Sequence, residues 1–163
     1  MISTNGLLVE QCKIVQGLAP ITPSSSVPDY VSMKNYQKLT VIIDIDNGAT
    51  VTGTAITLKQ AQAVANTGEK ALAFDKVWAN LNTAATDTLV ETAVTSNTFT
   101  SLTTDNLNLQ YVIEVDPATL DVANGFDCIR VGTANGVNCV TSVVYILWPA
   151  KYGKATPPSA ILD

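Results

Sequence analysis

Two acidic pairs are the residues of this chain whose types and spacing suggest chemistry. Asp44 and Asp46 stand two apart just ahead of Asn47-Gly48, and closely spaced oxygen ligands are what Ca²⁺ requires. Glu114 and Asp116 repeat the spacing, and two carboxyl groups can in principle cleave a glycosidic bond. Neither pair completes a site. The EF-hand loop needs a third oxygen ligand before its glycine and a Glu six residues after it, where this chain has Thr54. Both pairs read instead as alternate residues on the outer face of a strand, an ordinary place for carboxylates. The chain has no histidine, which removes Ser-His-Asp and Cys-His catalysis and His-based zinc sites. Three cysteines cannot supply four zinc ligands, and Gly53, Gly68 and Gly132 are isolated rather than gathered in a phosphate loop. The expectation is a non-enzyme with no catalytic, cofactor-binding or metal residues. Trp78, Trp148 and Tyr152 are the aromatics a sugar-binding groove would use. Such side chains more often anchor a core or an interface, and Trp148 is expected in the core.

Composition points the same way. The 163 residues fit one domain able to bury a real core. Hydrophobic residues make up 47% and charged residues only 14%, below the roughly 25% of an average soluble domain. Threonine, with 21 copies against 9 Lys and Arg, takes the place of charge. Its branched Cβ favours strands, and a Thr-rich surface carries few charges to desolvate on burial against other subunits. A net charge of −5, with Arg130 as the sole arginine, excludes nucleic acid as a partner, because phosphate recognition relies on clustered Lys and Arg. Lys151 and Lys154 come nearest to a basic pair. No apolar run reaches the roughly 18 residues of a membrane span. The N-terminus lacks a signal-peptide pattern, so synthesis in a cytoplasm is expected.

The elements that would position these residues are strands. Asn-Gly occurs four times, and it is the preferred pair for a two-residue type I′ hairpin turn. Asn47-Gly48 and Asn135-Gly136 each lie between long β-type runs, so two hairpins are expected. In that register Cys128 lies roughly 13 Å from the position level with Cys139, too far for a disulfide, and free thiols are predicted. Leu39, Val41, Ile43 and Ile45 alternate inward with Ile56 and Leu58. Leu109, Tyr111, Ile113 and Val115 alternate with Asn108, Gln110, Val112 and Glu114, a clean strand. Residues around 90–102 suit two short strands about Ser96-Asn97, and 59–74 is ambiguous between a short helix and loop. The fold class expected is all-β, an antiparallel β-sandwich with jelly-roll-like or immunoglobulin-like strand order undetermined. Its parts are an N-terminal strand and Pro/Ser-rich arm (1–33), the sandwich (34–150) and a Pro-rich C-terminal tail (151–163).

In VSMKNYQKLTVIIDID, GTAITLKQA, EKALAF, LQYVIEVDPATLD, FDCIRV and ATPPSAILD, in that order from about residue 31 onward, the chain resembles the small β-sandwich virion proteins of tailed bacteriophages that decorate or cement the head. The resemblance implies a capsid decoration protein on the exterior of the virion, made in the bacterial host cytoplasm. Its partner would be the major capsid protein, and it would form a homo-oligomer, a trimer favoured, with no cofactor and no membrane. Neck or tail structural proteins and a glycan-binding adhesin module are the alternatives. Cementing works by burying apolar surface across subunit boundaries. The candidate interface is the apolar face of the last strand, Val143, Tyr145 and Leu147, together with the Pro-rich terminal segments. A second sheet of the same sandwich covering that face is the other possibility.

Overall fold

The computed structural model describes residues 6–23, 27–134, 136–151 and 156–162. A single helical turn, α1 (Leu8–Gln11), precedes eleven strands: β1 (Lys13–Ile21), β2 (Val31–Ser32), β3 (Tyr36–Asn47), β4 (Ala55–Ala61), β5 (Lys70–Ala71), β6 (Lys76–Asn80), β7 (Val90–Ala93), β8 (Thr98–Thr100), β9 (Asn108–Val115), β10 (Cys128–Ala134) and β11 (Cys139–Ala150). They form two antiparallel sheets. The first has six strands in the order β1-β11-β3-β9-β6-β7; the second has the order β2-β10-β4-β5, with β8 also pairing β4. Setting aside β6 to β8, inserted between β5 and β9, eight strands remain. One sheet then takes the first, eighth, third and sixth of them, and the other the second, seventh, fourth and fifth. That is the jelly-roll order of two Greek keys. The sandwich expected from the strand pattern is the fold, and the topology resolves its strand order.

The core lies between the sheets. Leu39, Val41, Ile43 and Ile45 of β3, Leu109 to Val115 at odd positions of β9, and Val143, Tyr145 and Leu147 of β11 meet Ile56, Leu58, Ile129 and Val131 from the opposite sheet. The inward faces of β3, β4 and β9 were therefore legible from alternation.

The two hairpins expected at Asn-Gly do not form. β3 pairs with β11 and β9, whereas β4 pairs with β10, β5 and β8. The chain at 48–54 crosses from one sheet to the other, and 136–138 lie on the way back; Asn135 itself lies outside the described residues. Alternation reports which side a residue buries, not which strand it pairs with, so opposed strands and hairpin partners give the same pattern. The two crossings bond to each other: Gly48 N–H donates to Asn138 O at 2.7 Å and Thr52 N–H to Val137 O at 3.2 Å. Positive φ falls at Thr50 (56°) and Asn138 (55°). Asn47 ends β3 with its amide buried, Nδ2 donating to Leu102 O and Thr104 O at 2.9 Å. The ambiguous stretch after β4 holds a true hairpin, β4 to β5, turning through Asn66 (φ 68°) and Gly68 (φ 64°).

Cys12, Cys128 and Cys139 are buried and form no disulfide, as predicted, though for another reason. Cys128 pairs with Ala61 in one sheet and Cys139 with Asn47 in the other. Burial pushes the Cys12 and Cys139 thiols up. The boundary at 33 does not separate an arm from the sandwich. β1 is an edge strand of the first sheet, while Tyr30, Val31 and Met33 are buried. At the other end, Pro158 O accepts from Tyr36 Oη and Ala160 O accepts from Ser32 N, so the described part of the tail is docked.

Candidate functional surface

Val143, Tyr145 and Leu147 are 0% exposed, so the second sheet covers them and they form no external interface. The correction has a physical basis. Tyr145 stands over Gly17, where an added Cβ would lie 2.2 Å from its ring. Its hydroxyl accepts the Val131 N–H from the opposite sheet at 3.0 Å. Burial pushes this phenol far above its ordinary range. A phenol spanning both sheets belongs to the interior.

The outer face of the same sheet is the more informative surface. Cross-strand register aligns Gln16, Val144, Ile42, Val112, Trp78 and Glu91 in one row across all six strands. Four adjacent members of that row are apolar and half-buried. Ile14 and Ile146 lie in the next row, continued by Thr40 and Glu114, and Trp148 lies beyond beside Lys38. Trp148 is thus on the outer face and not in the core, its Nε1 donating to Thr40 Oγ1 at 2.9 Å. Thr40 Oγ1 in turn donates to Glu114 at 2.7 Å. The signal for this row was present in sequence as a break in alternation: Ile42 interrupts Lys38, Thr40, Asp44 and Asp46, just as Val112 interrupts Asn108, Gln110 and Glu114.

The acidic pairs separate in role. Asp44 and Asp46 project from this outer face, with Gln110 Nε2 donating to Asp44 at 3.0 Å. Among the described residues no three His, Cys, Asp or Glu side chains gather as metal ligands would. Glu114 and Asp116 rim a cleft of about 460 Å³ with Asp75, over Leu72, Phe74 and Val94. The Ala118 N–H and then Lys38 hold Asp116 below the usual carboxylate range, the latter through an ion pair at 2.9 Å. Tyr152 and Lys154 lie outside the described residues.

Sequence reasoning missed a charged knot on the outside of the second sheet. Glu69 accepts from Lys59 Nζ at 2.5 Å, Arg130 at 2.5 Å and the Tyr30 hydroxyl at 2.6 Å. The Arg130 guanidinium lies 5.0 Å from the Tyr30 ring centroid. Burial raises the Glu69 carboxyl, but the bonds from Lys59 and Tyr30 and the Arg130 charge outweigh it and leave it below the ordinary range. The knot pins the segment before β2 against the sheet. A sole arginine in a charge-poor chain was the available clue.

A third feature is the end of the sandwich where both described terminal segments lie. Leu7, Leu8 and Val9 are 54–67% exposed, and Ile161 and Leu162 are 52% and 70% exposed. α1 buries none of its residues. It leads into β1, whose Lys13 pairs with Leu147. Tyr36, which binds the tail, pairs with Ala150 at the end of the same strand.

The strand order makes this a jelly-roll sandwich. No protein-family model matches the chain, and no curated protein matches it. Among solved structures it is similar to the crystal structure of the SPBc2 prophage-derived protein YomS, with a TM-score of 0.46 and 15% identity over 83% of this chain and 92% of that one. No helix among the described residues is long and apolar enough to cross a membrane.

Proposed function

We propose that this chain is a non-enzymatic virion structural protein of a tailed bacteriophage that decorates or cements the capsid. It is made in the bacterial cytoplasm and binds the major capsid protein on the exterior of the head, as a homo-oligomer. The observation that carries the reading is the apolar end of the sandwich: Leu7, Leu8, Val9, Ile161 and Leu162 stand in solvent on a charge-poor molecule. Exposed apolar groups at one end of a molecule suit an interaction surface. Docking through that end buries it against the shell with few charges to desolvate. Two further lines support the reading. The order of sequence segments resembles head decoration proteins, and the jelly roll is a fold of viral capsid and lectin domains. Fold does not fix function, so the test is direct.

Purified chain mixed with undecorated heads of the phage that encodes it should pellet with them to a saturating ratio. A Leu8→Ser/Val9→Ser variant should stay in the supernatant. Parent protein left in the supernatant, or antibody labelling at the neck or tail of virions, overturns the capsid assignment. A glycan-binding reading draws on Trp78 and Trp148, which share the outer face of the first sheet. A glycan array on which both Trp→Ala variants lose the signal would favour it.

A further inference from the structure

We infer that the outer face of the six-stranded sheet is a self-association surface, closing a twofold pair whose axis runs along the row Val144, Ile42, Val112 and Trp78. The inference stands apart from the capsid reading, which uses the terminal end of the sandwich. It specifies a dimer in place of the trimer the resemblance favours.

Each strand of the sheet points alternate residues outward. On β3 these are Lys38, Thr40, Ile42, Asp44 and Asp46; on β9 they are Asn108, Gln110, Val112 and Glu114, with Asp116 just beyond the strand. Both series centre on the apolar row. An axis along that row, in the plane between two facing sheets, lays each strand antiparallel over its own copy. Every outward residue then meets the one equally far on the other side of the centre. Ile42 meets Ile42 and Val112 meets Val112. Thr40 meets Asp44, and Lys38 meets Asp46. Gln110 meets Glu114, and Asn108 meets Asp116. On β11 Val144 meets itself and Val140 meets Trp148. On β7, at the edge of the sheet, Glu91 meets its own copy, each carboxylate held by Lys76 of its own chain at 3.4 Å. The other pairs oppose no like charges, and Asp46, Glu114 and Asp116 each receive a cation or a hydrogen-bond donor. Asp46 has no ion-pair partner of its own among the described residues, so this pairing supplies one.

Size and packing agree. Six strands about 4.8 Å apart span roughly 24 Å, and the five outward positions of β11, β3 and β9, about 6.8 Å apart, span roughly 27 Å; with the shorter β6 and β7 the face is on the order of 600 Å² before side-chain relief is counted. A standard interface buries about 800 Å² per partner. Antiparallel superposition, relaxed by sheet twist, is the aligned packing that sandwich sheets adopt. The alternative axis, parallel to the strands, would give Lys38 to Asp116 and Asp44 to Gln110. Those groups already hold each other within one chain.

The test is sedimentation equilibrium of the purified full chain. The parent should dimerise reversibly at twice its 17.2 kDa. Ile42→Glu, which places two carboxylates on the axis, should raise the dimer dissociation constant at least about 30-fold. Lys38→Glu and Asp46→Lys should each weaken the pair about tenfold, and the double variant should return to within about threefold of the parent. The ion pair Lys38 makes with Asp116 is solvent-exposed (43% and 46%), so these charge variants keep the fold if Ile42→Glu does not. A parent that stays monomeric, a trimer, a dimer untouched by these changes, or a double variant no better than the singles would each overturn the inference.

Discussion

The two faces of β11 are almost equally apolar, yet they do opposite work. Cys139, Thr141, Val143, Tyr145 and Leu147 face inward; Val140, Ser142, Val144, Ile146 and Trp148 face out. The inward face is fixed by shape. Tyr145 needs the missing side chain of Gly17 on its own sheet and the N–H of Val131 on the other. Among the described residues the outward face has no second layer, and apart from the exposed Val140 its residues are half-buried only by their neighbours in the sheet. Apolarity marks a surface that gains from burial, while complementary volume and satisfied polar groups decide which surface this chain buries itself.

The sharpest way to break the comparison is Tyr145→Ala, expected to lower unfolding free energy by about 3–5 kcal/mol. Tyr145→Phe should cost about 1–3 kcal/mol, since it strands the buried Val131 N–H. Gly17→Ala should cost about 1–3 kcal/mol through overpacking against the same ring. All are read by urea denaturation. Val144→Ala, one residue away on the other face, should cost the monomer less than about 1 kcal/mol. A Val144→Ala loss as large as that of Tyr145→Ala would show that the outward face is also interior.

The outer face of the second sheet sharpens the contrast, because there exposure is met with charge. Glu69→Gln should cost about 1–2 kcal/mol, since it leaves Arg130, only 11% exposed, without its carboxylate. The sign with pH follows from a folded-state value held below the ordinary range. The stabilisation is fully present above the unfolded carboxylate value, near about 4.3, and is lost as pH falls through the lower folded value. Glu69→Gln should therefore flatten the acid limb of a stability-against-pH profile and leave the neutral plateau merely lowered. The smallest effect expected is that of Asp116→Asn, below about 0.5 kcal/mol, because its ion pair with Lys38 is open to solvent.

By itself the sequence determined that this protein is a β-sandwich, with β3 from Leu39 onward and β9 burying their odd-numbered residues, for alternation states burial directly. It also determined that β11 carries two apolar faces and that Ile42 and Val112 interrupt polar series. It did not determine partners. Asn47-Gly48 reads as a hairpin turn, but its strands enter different sheets. Val143, Tyr145 and Leu147 read as well for an interface as for a core. Strand pairing and the choice of inner face depend on contacts between residues far apart in the chain, such as Tyr145 with Val131 and Gly17, and Glu69 with Tyr30 and Arg130. Only the tertiary structure brings those groups together, and local periodicity is the same whichever way they meet.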